Sequence, residues 1–325
     1  MIYLQLLGGF IVLLAAAEIF VRGSVSLAKI LRVPPLVIGM TVVAFGTSAP
    51  ELMVSLEAAI GGVPGLAIGN VIGSNIANVL LILGASALVS PIMAPESAHR
   101  RDSVALFGGS AVFVLICLTG AVGFWSGAAL IVLFAGFLVS TYRIESKDKK
   151  LAAGHIQEVQ EIPPLKAPLW AVAAVTGAGL VGIIWGADLL IDASVAIART
   201  HGISEDIIGL TLVAFGTSLP ELAASVVAAF RGHSDIAVGN IVGSNLFNIL
   251  GVAGLTAMVA PLPVSANMLT FDIWVMLGAT ALLLPILAGR WQFGTKSALC
   301  FLLAYGGYIL INAHNAGLLG DSFGA

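Results

Sequence analysis

The sequence predicts an all-α integral membrane protein: ten transmembrane helices in two inverted five-helix repeats, with both termini outside. Three observations lead there. The chain is 59% hydrophobic and only 10% charged over 325 residues, with a mean hydropathy of +1.06, whereas a soluble domain carries roughly 25% charged residues. A thirteen-residue segment, Gly39–Glu51, recurs almost unchanged as Gly209–Glu221 at an offset of 170. The basic residues, once the apolar runs are threaded through a bilayer, gather on one side.

The apolar runs bounded by Pro, Gly or charge fall near 3–21, 35–60, 66–90, 103–122 and 125–142, then near 168–191, 206–230, 235–260, 270–289 and 296–312. Each has about the 20 residues a helix needs to span the hydrocarbon core. The first run has no Lys or Arg before it and no small-residue cleavage pattern, so a cleaved signal peptide is not expected. With the N-terminus outside, the cytoplasmic connections hold Arg22, Lys29, Arg32, Arg100, Arg101, Arg143, Lys147, Lys149, Lys150, Lys166, Arg231, Arg290 and Lys296. Only Arg199 of the 14 Lys and Arg residues is left outside. Shifting the helix count by one would scramble that asymmetry.

The halves divide accordingly: 1–142 is the first repeat (core motif 36–90), 143–167 a cytoplasmic linker, and 168–325 the second repeat (core motif 206–260). Residues 33–92 and 203–262 align without a gap, and 28 of 60 positions are identical. An odd number of spans per copy forces the second copy into the membrane upside down. Inverted repeats of this kind are a transporter architecture, with the site near midplane between the copies. The linker's Lys147–Lys150 charge run and Pro163-Pro164 read as a short wet connection. The net charge is −3 and the positive charge is loop charge, so no nucleic-acid surface is expected. Cys117 and Cys300 do not correspond under the offset, and apolar packing rather than a disulfide or metal role is expected of them.

The repeated motifs carry the chemistry. Each copy places a carboxylate beside a proline, Pro50-Glu51 and Pro220-Glu221, in an otherwise apolar run, and charge in a membrane is costly enough to mark a functional site. Proline lacks an amide hydrogen and crowds the carbonyl four residues back, so Pro50 frees that of Gly46 and Pro220 that of Gly216. Thr47 and Glu51 are four apart, as are Thr217 and Glu221, which would set each pair on one helical face. Ser74 and Asn78, and Ser244 and Asn248, repeat the step on the neighbouring run. Gly69, Gly73, Gly239 and Gly243 would let the hairpins approach closely. The resulting donors are carboxylates, hydroxyls, amide oxygens and backbone carbonyls, without His, Cys or Met. That is a hard-cation set suited to calcium, and to sodium through the same oxygens; magnesium, which keeps its waters, fits less well. Taken singly, Ser, Thr and Asn are interhelical glue and a lone proline is a kink; it is their duplication around an acid that argues for a site.

The Gly-Thr-Ser-x-Pro-Glu and Gly-Asn-x-x-Gly-Ser-Asn-x-x-Asn pairs resemble the two α-repeats of the calcium/cation antiporter superfamily. Within it the chain is similar to prokaryotic sodium/calcium exchangers related to the potassium-dependent branch. The resemblance covers essentially the whole chain. It implies a secondary active antiporter of the prokaryotic plasma (inner) membrane, serving calcium homeostasis by exchanging cytoplasmic calcium for external sodium through alternating access. Neither an enzymatic activity, a permanently bound cofactor nor an obligate protein partner is expected; the partners are calcium, sodium and the lipid bilayer. The family's ion ligands map here to Thr47, Ser48, Glu51, Ser74 and Asn78, with Ala44 by its carbonyl, and to Thr217, Ser218, Glu221, Ser244 and Asn248, with Ala214 by its carbonyl. Some relatives carry Asp where Asn248 stands, an acid linked to potassium use in the potassium-dependent branch. The proton-coupled branch usually places a further acid after its Gly-Asn, and Val71–Val79 and Ile241–Ile249 contain none.

Outside the core motifs, Glu18 and Asp188 correspond under the offset, and the resemblance suggests that their helices slide to switch access. Glu18 with Arg22 also reads as a structural i,i+4 pair. Glu57 faces Val227 in the alignment, so it has no symmetric role; it is either on an ion's access route or a snorkelling interface acid. Asp102 and Asp272 stand at helix starts, where capping is expected. Two other readings stay open: a proton-coupled calcium exchanger on the same fold, and a passive cation channel, against which buried matched acids argue. An intramembrane enzyme is disfavoured because His99, His155, His201, His233 and His314 all fall in loops or at helix ends.

Overall fold

The computed structural model describes residues 2–31, 35–92, 101–147, 167–200, 214–288 and 293–315. They are almost entirely helical. We label the principal helices α1 (Ile2–Leu31), α2 (Ala49–Ile60), α3 (Pro64–Val89), α4 (Arg101–Cys117), α5 (Phe124–Lys147), α6 (Leu169–Thr200), α7 (Leu219–Phe230), α8 (Ser234–Val259), α9 (Met268–Leu287) and α10 (Thr295–Asn315). Among the described residues, seven helical stretches are long and apolar enough to cross a membrane: α1, α3, residues Phe124–Thr141 of α5, residues Leu169–Ile197 of α6, and α8, α9 and α10. Backbone groups in lipid must be paired internally, and helices achieve this within one segment.

The apolar run at 35–60 is not one helix. Short pieces Pro35–Ile38, Gly39–Val43 (a π turn) and Ala44–Thr47 lead to Ser48, whose φ of −86° and ψ of 9° interrupt the helix before α2 begins. Ala214–Thr217, Ser218 (φ −88°, ψ 2°) and α7 repeat the break. Pro50 and Pro220 lie in the first turn of the helix that follows, where a missing amide hydrogen costs nothing. The expected proline disruption therefore falls just ahead of the ring, at the serines. The run expected to reach 122 also ends early: α4 stops at Cys117, and Gly120 (φ +92°) turns the chain into a two-residue strand, Ala121–Val122, paired antiparallel with Leu262–Pro263.

The centre of the molecule is α8, whose apolar window is 100% buried, flanked by α3 at 72%. Each of these helices contains a π turn, Asn78–Ile82 in α3 and Phe247–Val252 in α8, at corresponding places under the 170 offset. Such turns rotate the following side chains and recur at functional sites. The hairpins joining α2 to α3 and α7 to α8 turn on Gly62 (φ +80°) and Gly232 (φ +76°), a backbone conformation that favours glycine.

Helix α1 packs along α6 through a seam of small residues. A Cβ on Gly186 would meet the backbone of Leu13 at 2.7 Å, one on Gly182 the Ala16 Cβ at 2.8 Å, and one on Gly179 the backbone of Phe20 at 2.7 Å. Residue numbers rise along one helix as they fall along the other, so the first helices of the two halves run antiparallel. Close backbone approach supplies the dispersion contact that holds helices together when lipid offers no hydrophobic drive.

Candidate cation site

The two helix breaks meet against the middle of α8 and α3. Glu51 and Glu221, each in the first turn after its break, are both 1% exposed. Thr47, Ser48, Ser74, Asn78, Thr217, Ser218, Ser244 and Asn248 are likewise buried, as is Ala44. Ala214 opens the short helix that ends at Thr217; its side-chain surroundings lie outside what is described.

The contacts run between the repeats rather than within them. The Ser48 hydroxyl donates to Glu221 Oε1 at 2.6 Å and lies 3.0 Å from the Ser244 hydroxyl. Reciprocally, the Ser218 hydroxyl points to Glu51 Oε1 at 3.5 Å. Thr47 faces Glu221 and Thr217 faces Glu51 in the same crosswise manner. This corrects the expectation that Thr47 and Glu51, and Thr217 and Glu221, would each project from one continuous helical face. The break at each serine ends that face, and each serine hydroxyl turns to the opposite acid. The π turns bring in the amides: Asn78 Nδ2 donates to Asn245 Oδ1 at 3.0 Å across the repeats.

What is left over is mostly oxygen. Among the described residues, Glu51 Oε2, Glu221 Oε2, Asn78 Oδ1 and both amide atoms of Asn248 are buried without a hydrogen-bond partner. Buried polar atoms are normally paired, and an unpaired set clustered at one place is suited to a ligand. No three His, Cys, Asp or Glu side chains come together among the described residues. The donor set is therefore two carboxylates with neutral hydroxyl and amide oxygens, which fits a hard cation of one or two charges.

Of the four glycines expected to allow close approach, the two of α8 lie at one: the Gly239 Cα would be 3.1 Å from a Cβ on Gly39. A Cβ on Gly243 would fall 2.6 Å from the Met40 Cα and carbonyl oxygen, so α8 touches the stretch leading to Thr47 there. Gly69 has only the tip of Met268 nearby, at 3.2 Å, and Gly73 has nothing within 4 Å. Three contacting groups were not foreseen. Asn70 donates to the Glu51 carbonyl (3.2 Å) and the Ser55 hydroxyl (3.0 Å), and Asn240 does the same to Glu221 (3.4 Å) and Ser225 (2.8 Å). Asn245 is the third, through Asn78. Their identity at both repeats was the available signal, since Asn70/Asn240 and Asn75/Asn245 survive duplication as faithfully as the acids.

The other acids lie apart from this centre. Glu57 is exposed near the end of α2. Glu18 pairs with Arg22 as expected, and also with Arg231. Asp102 is buried in the first turn of α4. Asp272, expected to cap α9, instead ends a π turn and accepts from Asn312 of α10 at 3.3 Å and from Asn267 at 3.5 Å. Cys117 and Cys300 are both free; Cys117 is buried, whereas Cys300 is exposed on α10, not packed inside.

Comparison with known proteins agrees with this chemistry. The family described as "Sodium/calcium exchanger protein" matches residues 1–143 and 171–313. The sodium/calcium exchanger MaX1 of Methanosarcina acetivorans is 30% identical over 341 residues, covering 95% of this chain and 97% of that one. The inner membrane protein YrbG of Escherichia coli is 34% identical over 279 residues, covering 84% of each. A solved structure of the sodium-calcium exchanger NCX_Mj, soaked with 10 mM Na+ and 10 mM Sr2+, superposes with a TM-score of 0.81 at 32% identity, covering 95% of this chain and 99% of that one. A buried pair of carboxylates completed by hydroxyl and amide oxygens, within a chain matched over nearly its full length, is thus that of a membrane transporter, and the chain belongs to the sodium/calcium exchanger protein family.

Proposed function

We propose that this protein is a sodium/calcium antiporter working by alternating access, with Glu51 and Glu221 as the charged ligands shared by both ions. The observation that carries the reading is the crosswise arrangement of the site: each half supplies the acid and the opposite half supplies the hydroxyls that hold it. Ten spans in two inverted halves, 1–142 and 168–325 joined by 143–167, account for it, and the antiparallel course of α1 and α6 supports the inversion. Orientation follows from the basic loops, with both termini outside a prokaryotic plasma membrane.

The mechanism is competition. Calcium takes about 6–8 oxygens and is neutralised by two carboxylates. Thr47, Ser48, Ser74, Asn78, Thr217, Ser218, Ser244 and Asn248, with the carbonyls of Ala44 and Ala214, supply the neutral oxygens. Sodium ions neutralise the same acids in overlapping positions. Two bare carboxylates in low dielectric repel and are poorly solvated, which disfavours reorientation of an empty site and enforces exchange over leak. The test is calcium uptake into proteoliposomes driven by a sodium gradient, with and without a proton gradient. Uptake is expected to follow sodium alone and to vanish in Glu51→Gln and Glu221→Gln. Uptake driven by protons, or persisting in either variant, overturns the reading.

A further inference from the structure

Asn240 joins three elements at one point. Its Nδ2 reaches the Glu221 carbonyl and the Ser225 hydroxyl on α7, while its Oδ1 lies 3.2 Å from the Thr47 hydroxyl of the other repeat and 3.5 Å from that of Ser244, one turn along α8. It is 1% exposed, and nothing above assigns it a role. A hydroxyl has one hydrogen and two lone pairs. Thr47 and Ser244 can offer lone pairs to a cation only when their hydrogens point elsewhere, and a fixed amide oxygen is an acceptor that draws them, alongside the Val43 carbonyl 3.1 Å from the Thr47 hydroxyl and the Ser48 hydroxyl 3.0 Å from that of Ser244. We propose that Asn240 is a positioning residue for ion binding, which aims the Thr47 and Ser244 hydroxyls by accepting their hydrogens while holding the Glu221 turn through its amide. This rests on the cation site proposed above.

The test is a double-mutant cycle in sodium-driven calcium uptake by the full-length protein. Asn240→Ala is expected to raise the calcium KM about tenfold, the scale of one hydrogen bond serving a charged ligand. In a Thr47→Val background the same change should cost clearly less, about threefold, because one of the groups it acts through is gone while Ser244 and the Glu221 turn remain. An equal cost in both backgrounds, or no cost in either, overturns the proposal and leaves the site intact. Thr47→Val with wild-type kinetics overturns the site assignment itself. Should Asn240→Ala not be recovered folded, Asn240→Ser runs the same cycle with the same outcomes, since its hydroxyl is too short to reach Thr47.

A separate observation concerns α1. Arg231, in the turn between α7 and α8, grips Glu18 with two nitrogens: Nε to Oε2 at 2.7 Å and Nη2 to Oε1 at 2.7 Å, with Arg22 Nε also on Oε1 at 2.5 Å. The corresponding positions at the opposite membrane face are Asp188, Asp192 and Gly61, three residues without a cation among them. The inverted repeats thus differ where symmetry would make the two faces alike. We infer that the Glu18–Arg231 pair is a latch that holds α1 against the α7–α8 turn and so biases the transporter towards the state closed on that face, given alternating access. Arg231→Ala should change the ratio of calcium KM values measured from the two faces about threefold to fivefold, the upper range for a partly exposed pair. The charge-reversed variant Glu18→Arg with Arg231→Glu, made together with Arg22→Gln so that the new arginine has no like charge beside it, should restore it. An unchanged ratio in Arg231→Ala, or no restoration, overturns the latch.

Discussion

The Ser48 hydroxyl of the first repeat lies 2.6 Å from the Glu221 carboxylate of the second. A hydroxyl donating to a carboxylate forms one of the stronger hydrogen bonds a protein makes. Here it ties the acid of one half to the helix break of the other, so neither half holds a complete site. The reciprocal pair, Ser218 and Glu51, is stretched to 3.5 Å. This inequality makes a prediction: Ser48→Ala should weaken calcium binding about tenfold, since a hydrogen bond to a charged group is worth about 1.5–3 kcal/mol, and Ser218→Ala should weaken it less. Calcium titrations of transport rate in the two variants read the difference. Equal losses would mean that the two serines contribute alike.

A second prediction concerns the packing that brings the breaks together. Alanine at Gly243 would drive a Cβ into the Met40 backbone at 2.6 Å and the Ala44 Cβ at 2.7 Å. Backbone cannot swing aside, so overpacking should cost about 1–3 kcal/mol. Gly73→Ala, with nothing within 4 Å, should stay within about 0.5 kcal/mol of the parent. Thermal unfolding in one detergent ranks the two, and a Gly73 variant as damaged as the Gly243 variant would contradict the packing described.

These examples mark what a single sequence shows. The acids, prolines and hydroxyls around Glu51 and Glu221 were legible because duplication wrote them twice. The helix break was legible in kind, since proline disfavours a helix interior, but its seating at Ser48 depends on proline's preference for the first turn of a new helix. Partnership was not legible. Periodicity places Thr47 and Glu51 on one face of an ideal helix, and says nothing about which residue crosses from the other half. Arg231 meeting Glu18 and Asn240 meeting Thr47 depend on how helices distant in sequence are set side by side, a register that composition does not contain.

A third prediction follows from the neutrality of Asn78 and Asn248. Asn248 is buried with both amide atoms unpartnered among the described residues, and it contributes no charge. Among the described residues, the carboxylates at the proposed site are then only Glu51 and Glu221. Sodium-driven calcium uptake by the parent protein should be unchanged by added potassium, whereas Asn248→Asp, which adds a third acid, should make the rate respond to it. Potassium stimulation of the parent would show that an amide suffices.

The last prediction is at the α7–α8 turn, outside the membrane-spanning segments. His233 is buried there, and burial, joined by the charge of Lys29, lowers the pKa of its imidazole below the ordinary value, with Glu18 opposing. Its Nε2 has no partner among the described residues, so a proton placed there would find no acceptor. The unfolded chain therefore binds this proton more readily than the folded one, and the sign follows: stability rises with pH wherever the unfolded state holds more protons. The contribution is fully present above the unfolded histidine value of about 6.5 and is lost as pH falls through the lower folded value. Apparent melting temperature should drop as pH is lowered from about 7.5 through 6, and His233→Gln, which cannot titrate, should flatten that drop. The measurement is a melting series at constant ionic strength on both proteins. Parallel curves would place the acid sensitivity on other groups and remove His233 from the account.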